Sequence, residues 1–383
     1  MCCDTPLRTS IPPKMPFSAY AMSTSASMVG ARTPPARTRR RASVAGSRVA
    51  SLVAVGAPNR PTTTQATHLR TRRSQPRRAA SLRVEAASGE RVAVIGEALW
   101  DSLPAGLFLG GAPANVACHL NELGRDATVI SRVGDDELGR EVLRRLHGRG
   151  LATDAIQIDT GGIPTGFVVV TMENAMPSYD IVQPSAWDAM DPTDDLVAAC
   201  AGAVVVYGSL AQRDARSRAA ITAAANAAAK RVFDINLRKP FIDPELCVEH
   251  ARGCWLLKLN DEELPEMARW LGLDVDGVDN KELAFATFNA LDCEMLCVTR
   301  GGDGAALLTK KAGWMEHPGF QVDPVDTVGA GDSFLATLLD MLLEGMAPEV
   351  ALERACRIGA FVATQQGATP RHDAEGIKAL KRK

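Results

Sequence analysis

Asp332 follows two glycines in the run Asp326-Thr327-Val328-Gly329-Ala330-Gly331-Asp332-Ser333-Phe334. Gly329 and Gly331 allow a sharp turn whose amides are free to point at a ligand. The apolar helix that the pattern starts near Asp332 adds partial positive charge at that spot. Such a turn suits an anion. A carboxylate beside an anion site makes sense if it takes a proton from a group attacking a phosphate. An Asp cap on a glycine-rich turn is the structural alternative. A second constellation is Gly110-Gly111-Ala112-Pro113-Ala114-Asn115-Val116-Ala117, where the paired glycines turn the chain and Pro113 fits a first helical turn. Amides at Gly111 and the Asn115 side chain can meet a hydroxyl-rich molecule there. The same residues also read as a plain connection between a strand and a helix.

Other chemistry is missing. No Gly-Lys dipeptide occurs, so there is no Walker A loop, and Gly329–Gly331 lacks the third glycine of a dinucleotide fingerprint. No His-Glu-x-x-His, no ligand spacing among the six histidines and no Gly-x-Ser-x-Gly elbow is found.

The elements that must position these residues alternate. Arg91–Ile95 reads as a strand, with Glu97 and Asp101 at its carboxyl end, where open α/β sheets bind ligands. A helix follows from Pro113 to Gly124, then strand Thr128–Val133 and a charged helix Glu137–Arg149. Two β-runs, Ile163–Met172 and Tyr179–Val182, interrupt the alternation, and a hairpin there can cover a site as a lid. Strands Val204–Leu210, Val232–Ile235, Trp255–Leu259 and Met295–Thr299 then alternate with helices Asp214–Lys230 and Glu262–Leu271, and Ala305–Leu308 pairs onward. Helices Ser333–Leu343 and Pro348–Thr364 close the chain. This pattern predicts a doubly wound α/β sheet.

Composition divides the 383 residues in two. Residues 1–84 carry fourteen Arg and one Lys against a single acid, Asp4. That +14 against a whole-chain −2 leaves the remainder at −16. An acidic globular part argues against nucleic-acid binding, so any phosphate must be gripped by local amides and a few placed cations. The Arg-, Ser-, Thr- and Pro-rich first 88 residues have the composition of an organelle transit peptide. A chloroplast stroma address is expected, with mitochondrial import and a basic arm as alternatives. Residues 89–383 form the expected globular domain, and no run in it is long enough to span a membrane. The nine cysteines contain no Cys-x-x-Cys pair and no zinc spacing. Cys293 and Cys297 read as buried thiols flanking a strand, with redox sensing as the alternative.

Five motifs, in order over residues 91–375, resemble the PfkB carbohydrate kinases, the ribokinase-like family. Gly110–Ala117 is similar to the first family signature in its fructokinase form, and Asp326–Phe334 to the second. Between them, Asp234-Ile235-Asn236-Leu237-Arg238 resembles D-x-N-L-R, and Asn260-Asp261-Glu262-Glu263 resembles N-x-x-E. Val298–Gly304 resembles the V-T-x-G-x-x-G nucleotide loop. The resemblance implies a three-layer, doubly wound, mostly parallel sheet with a small β lid. It implies Asp332 as the base, and Gly329, Ala330 and Gly331 as amides that hold the transferring phosphoryl group. Asp101, Gly111 and Asn115 would bind a sugar, with Arg238 neutralising phosphate or lying exposed at the surface. Thr299, Gly301 and Gly304 would line ATP. Asn260 and Glu263, three apart and read as one helical face, would hold Mg2+ through its waters. Asp326, with carbonyls near Val328 and Gly367, would sit at a monovalent-cation (K+) loop, although Arg371 stands where ribokinases usually have Ser.

Two departures bear on the pocket mouth. Only eight residues separate Asp101 from Gly110, which predicts no lid strands there and a lid mainly from about 163–185. That places an exchanged-lid homodimer in doubt. Trp187 either faces the sugar or packs under the lid. The implied activity is ATP-dependent phosphorylation of D-fructose. Ribose, adenosine and 2-keto-3-deoxygluconate are alternative substrates. A non-catalytic fructokinase-like plastid scaffold is the alternative from another functional class.

Overall fold

A computed structural model describes residues 90–103, 106–173 and 176–383. The import segment expected over residues 1–88 lies outside the described residues. In chain order the elements begin with β1 (Val92–Ile95), β2 (Leu99–Leu103), β3 (Gly106–Gly110), α1 (Ala112–Glu122), β4 (Ala127–Gly134) and α2 (Glu137–Gly148). Next come β5 (Ile156–Asp159), β6 (Gly166–Glu173), β7 (Met176–Ile181), α3 (Asp194–Cys200), β8 (Val204–Gly208) and α4 (Ala215–Ala227). β9 (Lys230–Asp234), α5 (Pro244–Ala251), β10 (Leu256–Asn260), α6 (Glu263–Trp270), α7 (Asn280–Leu291) and β11 (Met295–Thr299) follow. The chain ends with β12 (Ala305–Thr309), β13 (Gly313–His317), β14 (Phe320–Gln321), α8 (Ala330–Leu343), α9 (Pro348–Ala363), α10 (Ala374–Ala379) and β15 (Lys381–Arg382).

Nine strands form one sheet in the order β13-β12-β11-β10-β9-β8-β1-β4-β5. All neighbours from β11 to β5 pair in parallel, while β12 and β13 are antiparallel. Parallel strands must be covered on both faces, and the alternation of side chains shows how. Ala93, Ile95, Val205, Tyr207, Leu257 and Leu259 pack beneath α3 to α7. Val92, Val94, Val204, Val206, Leu256 and Cys297 pack against α1, α2, α8 and α9. Three layers result. Cys293 and Cys297 are fully buried, as the first reading of that pair expects. Among the described residues no helix is long and apolar enough to cross a membrane.

The order reverses at β1: β4 and β5 extend to one side and β8 returns on the other. Such a switch point opens a crevice at the carboxyl ends of the strands. A separate four-stranded sheet, β3-β2-β6-β7, stands over that crevice. Here the expectation of no strands between Asp101 and Gly110 fails. β2 runs through Asp101 and pairs antiparallel with β3, Leu99 opposite Gly110 and Asp101 opposite Phe108. A hairpin needs only a two-residue connection, so eight intervening residues suffice once Asp101 itself lies in the strand. The small sheet therefore takes two strands from this hairpin and two from 166–181.

Candidate active site

The turn before α8 carries the centre of the site. Gly329 is the N-cap, with φ at 78°, so α8 starts at Ala330 and Asp332 lies in its first turn. A Cβ on Gly329 would come within 2.2 Å of the Ala368 carbonyl oxygen, which leaves room for glycine alone. The Ala330 amide donates back to Thr327 O at 3.2 Å. This corrects the expected trio of anion-binding amides, since one of them closes the turn. Among the described residues no backbone acceptor takes the amides of Gly329 and Gly331.

Asp332 is half-buried and accepts a 2.8 Å hydrogen bond from Asn115 Nδ2, carried on α1. Burial pushes the Asp332 carboxyl up to about 6, against the Asn115 hydrogen bond and the charges of Lys258 and Arg238. At neutral pH it is ionised and able to accept a proton.

On one side of Asp332 lies a cavity of 420 Å³. All four expected sugar-binding residues, Asp101, Gly111, Asn115 and Arg238, line it. Asp101 reaches it from β2 because Gly110, two residues along the neighbouring strand β3 from its partner Phe108, has no side chain: a Cβ there would lie 1.9 Å from Asp101 Oδ2. Burial raises the Asp101 carboxyl to about 6, helped by Asp332 and opposed by Arg238. Arg238 is exposed at the cavity edge. Gly111 adopts φ of 99°, and its missing side chain lets Glu97 O approach the N-terminus of α1.

Lys258 also lines this cavity, and no motif singles it out. It is buried in the middle of β10, with Nζ at 2.8 Å from both carboxylate oxygens of Asp234 on β9. Burial works against its charge, but Asp234 and Glu263 outweigh it and hold its pKa above the ordinary lysine value. Its ammonium lies 3.7 Å from where a Gly331 Cβ would be, so a fixed positive charge stands beside the turn. A lysine inside the apolar run Leu-Leu-Lys-Leu is the one signal of it in the sequence.

On the other side lies a second cavity, of 500 Å³, lined by Asn260, Thr299, Gly301 and Gly304. All three residues expected to line ATP are there. Gly304 must be small, because a Cβ would sit 2.0 Å from His317 O. Thr327 and Gly331 line both cavities.

The expected metal residues are arranged differently. Asn260 ends β10 and its Oδ1 takes the amides of Glu262 and Glu263. Glu263 in return takes the amides of Asn260 and Leu237 at 2.9 and 2.7 Å. They form a reciprocal cap, not one helical face, and Glu263 fixes the Asn236–Arg238 turn. Asp326 takes the amides of Val328 and Gly367 with its two oxygens, so its carboxylate ties the turn to the loop after α9. Phe108 of β3 rests on that loop, 2.9 Å from where a Gly367 Cβ would be. Arg371 pairs with Glu122. Among the described residues no group of three His, Cys, Asp or Glu side chains could hold a metal. This donor set does not fit an ion held by three such side chains. It leaves Asn260, Asp261 and Glu262 on the cavity wall, which suits Mg2+ arriving with its waters on a phosphate. Trp187 is fully buried under Arg213, whose guanidinium lies 4.1 Å from its ring centroid, and it packs rather than facing the sugar cavity.

The family profile of pfkB family carbohydrate kinases matches residues 105–374. The chain belongs to this family. It is 31% identical over 318 residues to probable fructokinase-4 of Arabidopsis thaliana, covering 74% of this chain and 95% of that protein. It is 33% identical over 304 residues to a fructokinase of Klebsiella pneumoniae, covering 73% and 94%. Among solved structures, a Vibrio cholerae fructokinase in a fructose-, ADP- and calcium-bound form matches with a TM-score of 0.65 at 25% identity, over 76% of this chain and 99% of that one. An ATP-bound fructokinase from Xylella fastidiosa has the same TM-score at 23% identity, over 76% and 97%, a likeness of fold. The three-layer ribokinase-like sheet is therefore the fold of this pfkB carbohydrate kinase, a phosphotransferase acting on a sugar hydroxyl.

Proposed function

We propose that this kinase transfers the γ-phosphoryl group of ATP to D-fructose, giving fructose 6-phosphate. The observation that carries the reading is Asp332 on a turn whose Thr327 and Gly331 border both cavities. The sugar lies in the cavity of Asp101, Asn115 and Arg238, and ATP in that of Thr299, Gly301 and Gly304. Asp332 takes the proton of the attacking hydroxyl. The Gly329 and Gly331 amides and the N-terminus of α8 face the phosphoryl group in flight, and the Lys258 ammonium adds fixed positive charge. Mg2+ carried by the nucleotide would neutralise charge on the phosphates. A relative in the same family crystallised with fructose and ADP supports this choice of substrates. The intact acid, ammonium and amide set opposes a scaffold without catalysis, which needs none of them together.

A coupled ADP-release assay over a panel of sugars, with ATP and Mg2+, tests this. Fructose is expected to give the highest kcat/KM. Asp332→Asn is expected to lower kcat by ~10²–10⁴-fold while ATP still binds. No sugar-dependent ADP release by the wild type would sink the assignment, and full activity of Asp332→Asn would remove the base.

A further inference from the structure

We infer that Glu97 is a substrate-binding residue, its carboxyl group hydrogen-bonding a sugar hydroxyl beside Asp101 and Asn115 and so helping to select the sugar. This rests on reading the 420 Å³ cavity as the sugar site. Glu97 follows β1 at the switch point of the sheet and is 4% exposed. It lines the same cavity as Asp101, Asn115 and Asp332. The backbone N–H groups of Glu97 itself and of Ala112, at the N-terminus of α1, lie near enough to favour its charged form. Oε2 nonetheless has no hydrogen-bond partner among the described residues. A buried carboxyl oxygen without a partner costs free energy unless a bound molecule satisfies it. A sugar hydroxyl is such a partner, because it can both give and accept.

The charge around the group agrees. Arg238 and Asp332 act on it from the cavity with opposite signs, and Asp101, Asp234 and Lys258 stand close by on β2, β9 and β10. Burial comes first and pushes the Glu97 carboxyl up to about 7. Near neutral pH it is therefore present both as acid and as carboxylate, a donor to one hydroxyl oxygen or an acceptor from one hydroxyl proton. A competing explanation is local. A void of 10 Å³ borders Glu97 on its other side, near Tyr207, Ser209, Asp234 and Asn236. That is room for about one water, which would satisfy Oε2 without any sugar.

The two explanations separate on kinetics. Glu97→Leu and Glu97→Gln are assayed with fructose and with the 1-, 3- and 4-deoxyfructoses, which keep the 6-hydroxyl that accepts the phosphoryl group. A sugar contact predicts that Glu97→Leu raises KM for fructose about tenfold or more, with kcat within threefold and KM for ATP unchanged. It further predicts one deoxy sugar that is a poor substrate for wild type but loses nothing more in Glu97→Leu. Glu97→Gln, which keeps a hydrogen-bonding head group of the same size, is expected to lie between. A fructose KM within twofold of wild type, or matched losses in kcat and ATP KM that mark a packing role, overturns the inference. Where the Leu variant fails to fold by thermal melt, Glu97→Gln decides: a raised fructose KM with the same deoxy pattern supports it, and an unchanged KM overturns it. Wild type that turns over no sugar overturns the fructokinase reading and this inference together. Active wild type with an unaffected Leu variant overturns this inference alone.

Discussion

Asp332 owes its basicity to opposing neighbours, and those neighbours can be removed singly. Burial raises its carboxyl to about 6, and the Asn115 hydrogen bond holds it from rising further. Activity that needs the carboxylate is full above that pKa and falls as pH drops through it. Asn115→Leu removes a hydrogen bond to the charged form, so the acid limb of kcat/KM for the sugar is expected to move to higher pH, with a fructose KM at least tenfold worse. A pH profile with the limb unmoved would show that Asn115 does not tune the base. The resemblance of their two motifs to the family signatures makes Asp332, Asn115 and Gly111 legible in the sequence. Lys258 is not legible there, because its partner Asp234 lies 24 residues away and meets it only through the parallel register of β9 and β10. For Glu263 the N-x-x-E spacing misleads, since it says that two side chains meet but not which atoms they face.

The decisive element is the entry to α8. A helix beginning at Ser333 would make Asp332 a cap; the positive φ of Gly329 starts the helix at Ala330 and carries Asp332 into the first turn. Gly329→Ala puts a methyl into the Ala368 backbone in a conformation that L side chains rarely adopt. A shift of about 1 Å at such a turn can cost ~10²-fold, so kcat is expected to fall by about that factor and the melting temperature to drop with it. A variant with wild-type kcat would mean that the turn need not be rigid. Parallel strands such as β8 and β11 are legible as apolar runs. The helix α5 is not, although Asp243 and Pro244 mark its start, because its short stretch offers few apolar positions to define a period. The β2–β3 hairpin is hidden because Asp101 looks like a strand end when it lies mid-strand.

On the scale of the whole chain, the ordered alternation begins at Val92 and the family match at residue 105. We propose residues 1–88 as a chloroplast import segment on composition. A protein starting at residue 89 is expected to keep kcat and melting temperature, and a fusion of 1–88 to a fluorescent protein to enter chloroplasts. A mitochondrial signal would favour the alternative address, and loss of folding would place part of the segment in the domain. The three-layer architecture follows from alternation of apolar runs, whereas the pairing of a short hairpin with 166–181 is a long-range event that local sequence cannot announce. That pairing has a consequence for timing. Phe108 presses on Gly367, and Gly367 is moored through Asp326 to the stretch that leads into Gly329. The roof over one cavity is thus linked to the turn that borders both. A movement of the roof would reach that turn at the same moment, through Gly367 and Asp326.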